Sequence, residues 1–165
     1  MRTVVKWLLL PFVLMGASEE RDEGKAGKYL NKVVNKFEKE IEKEFKVKCC
    51  KFGASMPKDI EKITIGFEKA KKGTIEEARV LAVGIMQRFL DKINQDEDVR
   101  PYLREHPFTR DRVLLTLSFT DEDICYVTFI RDELEYLKSG EKWTFITALN
   151  ETLEEALKKI EGGVK

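Results

Sequence analysis

Apolar residues recur along this chain with two different periods, and each change of period marks the start of a new element. From Lys25 to about Lys46, Leu30, Val33, Val34, Phe37, Ile41 and Phe45 are three or four apart, which predicts an amphipathic helix. Its other face is lysine and glutamate, with acid-first i,i+4 pairs at Glu42/Lys46 and Glu44/Lys48. The helical period returns from Thr74 to Asp96. There Ala78, Leu81, Ala82, Val83, Ile85, Met86, Phe89, Leu90 and Ile93 cover an arc of roughly 200° at about 100° per residue, wider than a surface helix needs. Thr74 and Glu77 form a capping-box pattern at its start, and Arg100-Pro101 closes it. This stretch is expected to be a long central helix packed on two sides.

A period of two marks the strands. Ile63, Ile65 and Phe67 alternate with Lys62, Thr64, Gly66 and Glu68, predicting a half-buried strand. Val113, Leu115, Leu117 and Phe119 alternate with Leu114, Thr116 and Ser118, and after Thr120-Asp121-Glu122-Asp123 the alternation resumes from Ile124 to Ile130. These two strands predict an antiparallel hairpin, followed by a second, Leu134 to Lys138 and Lys142 to Leu149, turning at Ser139-Gly140. The second and last of these strands carry apolar groups on both faces, so helices or a partner subunit must cover both sides. The stretch from Val47 to Met56, ending at Pro57, reads as a connection. Thr152-Leu153-Glu154-Glu155 repeats the capping-box pattern and opens a short helix stopped by Gly162-Gly163.

The order helix, strand, helix, hairpin, hairpin, helix defines an α+β fold. A mainly antiparallel sheet of about five strands is expected on the central helix, with an N-terminal amphipathic helix and a short C-terminal one. The chain has 165 residues, 42% hydrophobic and 36% charged, which suits a single domain from 19 to 165. Thirty basic and thirty acidic residues leave no global footprint for nucleic acid.

Residues 1–18 have basic Arg2 and Lys6, an apolar run from Trp7 to Met15, then small Gly16, Ala17 and Ser18. That layout is a secretory signal peptide, and the run is too short for a membrane span, which needs about 20 apolar residues. Export to the periplasm or the medium is therefore expected, leaving a mature chain of net charge −2. Leu14-Met15-Gly16-Ala17-Ser18 also resembles a bacterial lipoprotein box, with Ala17 where the acylated cysteine belongs, so no lipid anchor is expected.

Arg100-Pro101-Tyr102-Leu103 and Pro107-Phe108-Thr109, after the central helix and before an alternating strand, resemble a pattern in small uncharacterised exported bacterial proteins. The resemblance spans Ile63 to Leu149. It implies a fold of this kind and brings no catalytic or binding residue with it.

The chemistry-bearing residues are few. Cys49 and Cys50 are adjacent, Cys125 lies on a strand, and three is an odd number. Export would allow Cys125 to bridge Cys49 or Cys50, with Cys50–Cys125 taken as the expected pair; closing about 75 residues is worth roughly 4–5 kcal/mol on the chain-entropy model. Adjacent cysteines lack zinc-knuckle spacing and there is one histidine, so no metal or other cofactor is expected. Arg100, Arg104, Arg110 and Arg112, four of nine arginines, share one connector with Tyr102, Phe108 and His106. Guanidinium forks grouped this way suit an anionic ligand or a protein partner, although interleaved Glu105 and Asp111 also suit local ion pairs. Tyr126, Tyr136, Trp143 and Phe145 offer a stacking platform for sugar or peptide but read first as core. The acidic turns Asp96-Glu97-Asp98 and Asp121-Glu122-Asp123 lack the ligand spacing of a calcium loop. With no phosphate loop, nucleophile elbow or zinc-protease motif, the leading reading is a non-enzymatic exported domain that binds another macromolecule, with homodimerisation open to it. The alternatives are a small thiol enzyme using Cys49, Cys50 or Cys125 with His106, and an intracellular chaperone-like dimer that keeps residues 1–18.

Overall fold

The computed structural model describes residues 23–71, 73–120, 125–139 and 144–163. The expected signal peptide, the Asp121-Glu122-Asp123 turn, Gly140 and Trp143 lie outside the described residues. The chain runs α1 (Glu23–Phe45), β1 (Lys48–Ser55), β2 (Lys62–Lys69), α2 (Ile75–Gln95), β3 (Val113–Phe119), β4 (Tyr126–Ile130), β5 (Glu133–Ser139), β6 (Phe145–Thr152) and α3 (Leu153–Gly162). The six strands form one sheet in sequence order. Every neighbouring pair is antiparallel except β2 and β3. Those two are parallel because α2 connects them, carrying the chain back to the end of the sheet at which β2 begins.

The fold is α+β with a mostly antiparallel sheet, and two of its expected details need correction. The sheet has six strands rather than about five, because Val47 to Met56 is not a connection. Its Lys48–Ser55 part pairs with β2 as an edge strand. An extra residue at Cys50 shifts the register between Cys49 and Lys51, so the inward residues Cys49, Phe52 and Ala54 fall out of period and the alternation is hidden. Nor is α2 a rod around which the sheet is laid. It packs against α1 and α3 and against the inward side of the sheet, and α1 is the longer helix. Its wide apolar arc serves those three neighbours, while Val80, Gln87, Arg88 and Asp91 remain exposed.

The core lies between the helices and one face of the sheet. Leu30, Val33, Val34, Phe37 and Ile41 of α1 are buried, as are Ile63, Ile65 and Phe67 of β2, Val113, Leu115, Leu117 and Phe119 of β3, and Val127, Phe129, Leu134 and Tyr136 beyond them. Every buried α2 position anticipated from the periodicity is buried except Val83, which is half-buried, and Arg79 joins them.

Local signals place the helix ends. Thr74 Oγ1 accepts the Glu77 amide at 3.1 Å, but the Glu77 carboxylate pairs with Lys69 at 2.9 Å, so only half of the first capping box forms. The second is complete: Thr152 and Glu155 bond reciprocally. Asp96 Oδ1 accepts the amides of Asp98 and Val99, which turns the chain away after α2. The i,i+4 pairs expected at the end of α1 are not the pairs that form. Glu42 accepts the Cys49 amide and Glu44 pairs with Arg88, because Lys46 has already left the helix with φ 53°. That left-handed conformation is strained for a side chain with a Cβ, so Lys46→Gly is expected to stabilise the fold by about 0.5–1 kcal/mol. A higher urea midpoint at unchanged slope checks it; an unchanged or lower midpoint contradicts it.

Candidate functional site

Three groups of chemistry-bearing residues take distinct places in this frame: the thiols, the arginine connector and a buried ionic cluster. Cys49 faces α1, and its Sγ lies 3.0 Å from Glu38 Oε1. Burial and that carboxylate push its thiol up to about 12, the opposite of what a nucleophile needs. Cys50, the extra residue of β1, is exposed, and Cys125 Sγ donates to the Leu137 carbonyl at 3.4 Å. All three are free. The expected Cys50–Cys125 bridge is absent: β1 and β4 are three strand spacings apart, about 14 Å, and a disulfide spans at most about 7 Å between Cα atoms. His106 Nε2 is 3.2 Å from the Asn94 carbonyl oxygen, in the connector after α2.

The four connector arginines do not converge. Arg100 donates to the Asn94 carbonyl at 3.4 Å, Arg104 to Glu61 at 3.0 Å, Arg110 to Asp132 at 2.8 Å, and Arg112 forks onto Glu105 at 2.7 and 3.3 Å. Hydrogen bonds from Arg112 and Thr109 hold the Glu105 carboxyl below its ordinary range. Tyr102 stacks on Tyr29 of α1 with ring centroids 5.9 Å apart. What pins the connector is Asn94, a residue with no sequence signal: its side-chain amide brackets Phe108, accepting the amide at 2.6 Å and donating to the carbonyl at 3.0 Å. The cleft beside Arg110, about 430 Å³, is also lined by Asp91, Asp111 and Asp132. An anion entering it meets three carboxylates and one guanidinium already engaged.

The ionic cluster ties α2 and α3 to the sheet. Arg79 of α2 forks onto Glu151 of β6 at 2.6 and 3.1 Å; Tyr136 of β5 donates to the same carboxylate at 2.6 Å, and Lys159 of α3 donates at 2.6 Å. Burial alone would raise the Glu151 carboxyl, but its hydrogen bonds from Arg79, Lys159 and Tyr136 prevail and hold it low. These three oxygens and three nitrogens are bonded to one another, so the cluster serves as a tie between elements.

Among the described residues, one face of the sheet carries no helix. Alternation puts Thr64, Gly66, Leu114, Thr116, Tyr126, Thr128, Ile130, Glu135, Leu137, Phe145 and Thr147 there. Phe145 is 63% exposed and Ile130 43%. Tyr126 and Phe145 lie together on this face, centroids 6.2 Å apart, whereas Tyr136 is buried on the other, so the proposed platform is split between the two sides. Near β6 the face holds a cavity of about 350 Å³ bordered by Thr128, Ile130, Glu133, Glu135, Asn150 and Glu155. Among the described residues, no group of three or more His, Cys, Asp or Glu is placed to hold a metal, and no helix is long and apolar enough to cross a membrane. No family model, curated protein or solved structure matches the chain.

Proposed function

We propose that this chain is a non-enzymatic binding domain that presents the helix-free face of its sheet to a protein partner. The observation that carries this reading is the one-sided cover of the sheet: all three helices pack on one face, while the other keeps Ile130 and Phe145 exposed among threonines. Apolar side chains left exposed on an uncovered face are available to a partner, and mixed faces of threonine and aromatics suit protein more than small molecules. The surroundings of these reactive residues also favour binding over thiol catalysis, since burial and the Glu38 carboxylate hold Cys49 protonated and His106 is engaged with Asn94. The proposal includes export, on the strength of Arg2, Lys6 and the apolar run Trp7 to Met15.

A photo-reactive benzoylphenylalanine in place of Thr147, on this face, is compared in the native host with one at Lys36 on the exposed side of α1. Adducts from position 147 alone are expected, and intact mass should show a chain beginning at Glu19. Equal adducts from both sites, or none, overturn the docking face. A retained Met1 overturns export.

A further inference from the structure

We propose that the partner on the helix-free face is a second copy of this chain, related by a two-fold axis that runs along the strands between β3 and β4. This rests on the reading of that face as a docking surface. Rotation about such an axis lays β3 of one copy on β4 of the other, and β2 on β5. The strand register then decides what meets. Leu114 and Ile130 oppose each other across β3 and β4, so Leu114 of each copy falls on Ile130 of the other, apolar on apolar. Thr116 and Thr128 fall together in the next row.

Charge makes the match directional. Lys51 and Lys62 stand exposed on the β1–β2 side, and Glu68 on the same strand as Lys62 lies opposite Lys48 in the register. Glu133 and Glu135 stand on β5. Lys51 and Glu135 share one row, running through Gly66, Thr116 and Thr128. Rotation therefore brings Glu135 of the second copy over β2, about 5 Å along the sheet from Lys51, and Glu133 within one row, about 7 Å, of Lys62. Both separations lie within reach of a lysine and a glutamate side chain. An axis across the strands would instead lay β1–β2 on β1–β2, lysine on lysine, so the charge pattern selects one orientation. The projected face, five strand spacings by about five residues, is roughly 400 Å² per copy, about 800 Å² in all, below the size of a stable interface and in the range of weak, transient ones. The dimer is expected to dissociate on dilution.

A charge swap tests the proposal in the full chain expressed in its native host. Light scattering over a dilution series should show wild type moving between one and two chain masses. Lys51→Glu/Lys62→Glu and Glu133→Lys/Glu135→Lys should each be monomeric alone and should form a two-chain species when mixed, because the mixture restores opposite charges. Ile130→Asp, at the exposed end of β4 where Leu114 of the second copy falls, should also be monomeric and serves if a charge variant fails to fold. A wild type that stays monomeric at every concentration, or charge variants that each still pair alone, overturns self-association. If wild type is monomeric yet the crosslinker at position 147 captures a different protein, the docking face stands and the second copy is its wrong occupant. If it captures nothing, both readings fall.

Discussion

Replacing Glu151 with leucine is expected to destabilise the fold by about 3–5 kcal/mol, the usual consequence of removing one partner from a buried ion pair. Glu151 is almost wholly buried and receives Arg79, Tyr136 and Lys159 at once. Without it the Arg79 guanidinium stays in the interior with no counter-charge, and the Tyr136 hydroxyl loses its acceptor. The double variant Arg79→Met/Glu151→Leu should recover most of that loss, because two apolar side chains of similar size avoid the desolvation that the pair itself had to overcome. Urea unfolding of the two single variants and the double closes a mutant cycle whose coupling term isolates the pair. A loss under about 1 kcal/mol for Glu151→Leu would show that the cluster carries little. The pH dependence has a definite sign. Glu151 is held below its ordinary carboxylate value in the fold, so its contribution is present above that value and disappears as pH falls through the lowered one. The gap between wild type and Glu151→Leu should therefore be constant near neutral pH and close only in acid.

That cluster also shows where the sequence stops being informative. Helices α1 and α2, and strands β2 to β5, declared themselves through periods of 3.6 and 2, because each buries one face and burial repeats along the element. Arg79 and Glu151 are 72 residues apart, and an ion pair leaves no periodic trace. Within α2, Arg79 sits among apolar neighbours and reads as a surface cation until its partner is known. β1 was hidden for a different reason: the bulge at Cys50 breaks the period near the start of an edge strand. The arginine connector was visible as composition, but composition does not give direction. Glu61, Asp132 and Glu105, which engage Arg104, Arg110 and Arg112, come from three different places in the chain, and only their assembly turns a cationic cluster into separate ion pairs. The two-faced apolar character of β4 and β6 was also legible in the sequence. It implied that something covers both sides of the sheet; the helices cover the inward side of β4, whereas Phe145, Ile146, Thr147 and Ala148 of β6 are exposed on both sides.

Phe37→Ala is expected to cost roughly 3–5 kcal/mol, a large part of the 5–15 kcal/mol by which a domain of this size is usually stable. Phe37 is 1% exposed and stands where α1, the sheet and α2 meet, with its ring edge-on to Phe89 at 5.2 Å and to Phe67 at 6.2 Å. Truncation removes the ring from three packed elements and leaves a void that Leu30, Val33, Val34 and Ile41, fixed on the same helix, cannot close. Phe37→Leu, which keeps most of the volume, should lose far less, about 1–2 kcal/mol. Hydrogen exchange separates two ways of losing the same stability. If α1 is part of one cooperative core, Phe37→Ala lowers protection in α1, β2 and α2 together. Protection lost in α1 alone, with β2 and α2 unchanged, would mean that the helix docks as an independent unit and that the sheet stands without it. The shared ring contacts predict the first result, and the ion pairs that join the two helices, Lys92 with Glu40 and Arg88 with Glu44, act in the same direction.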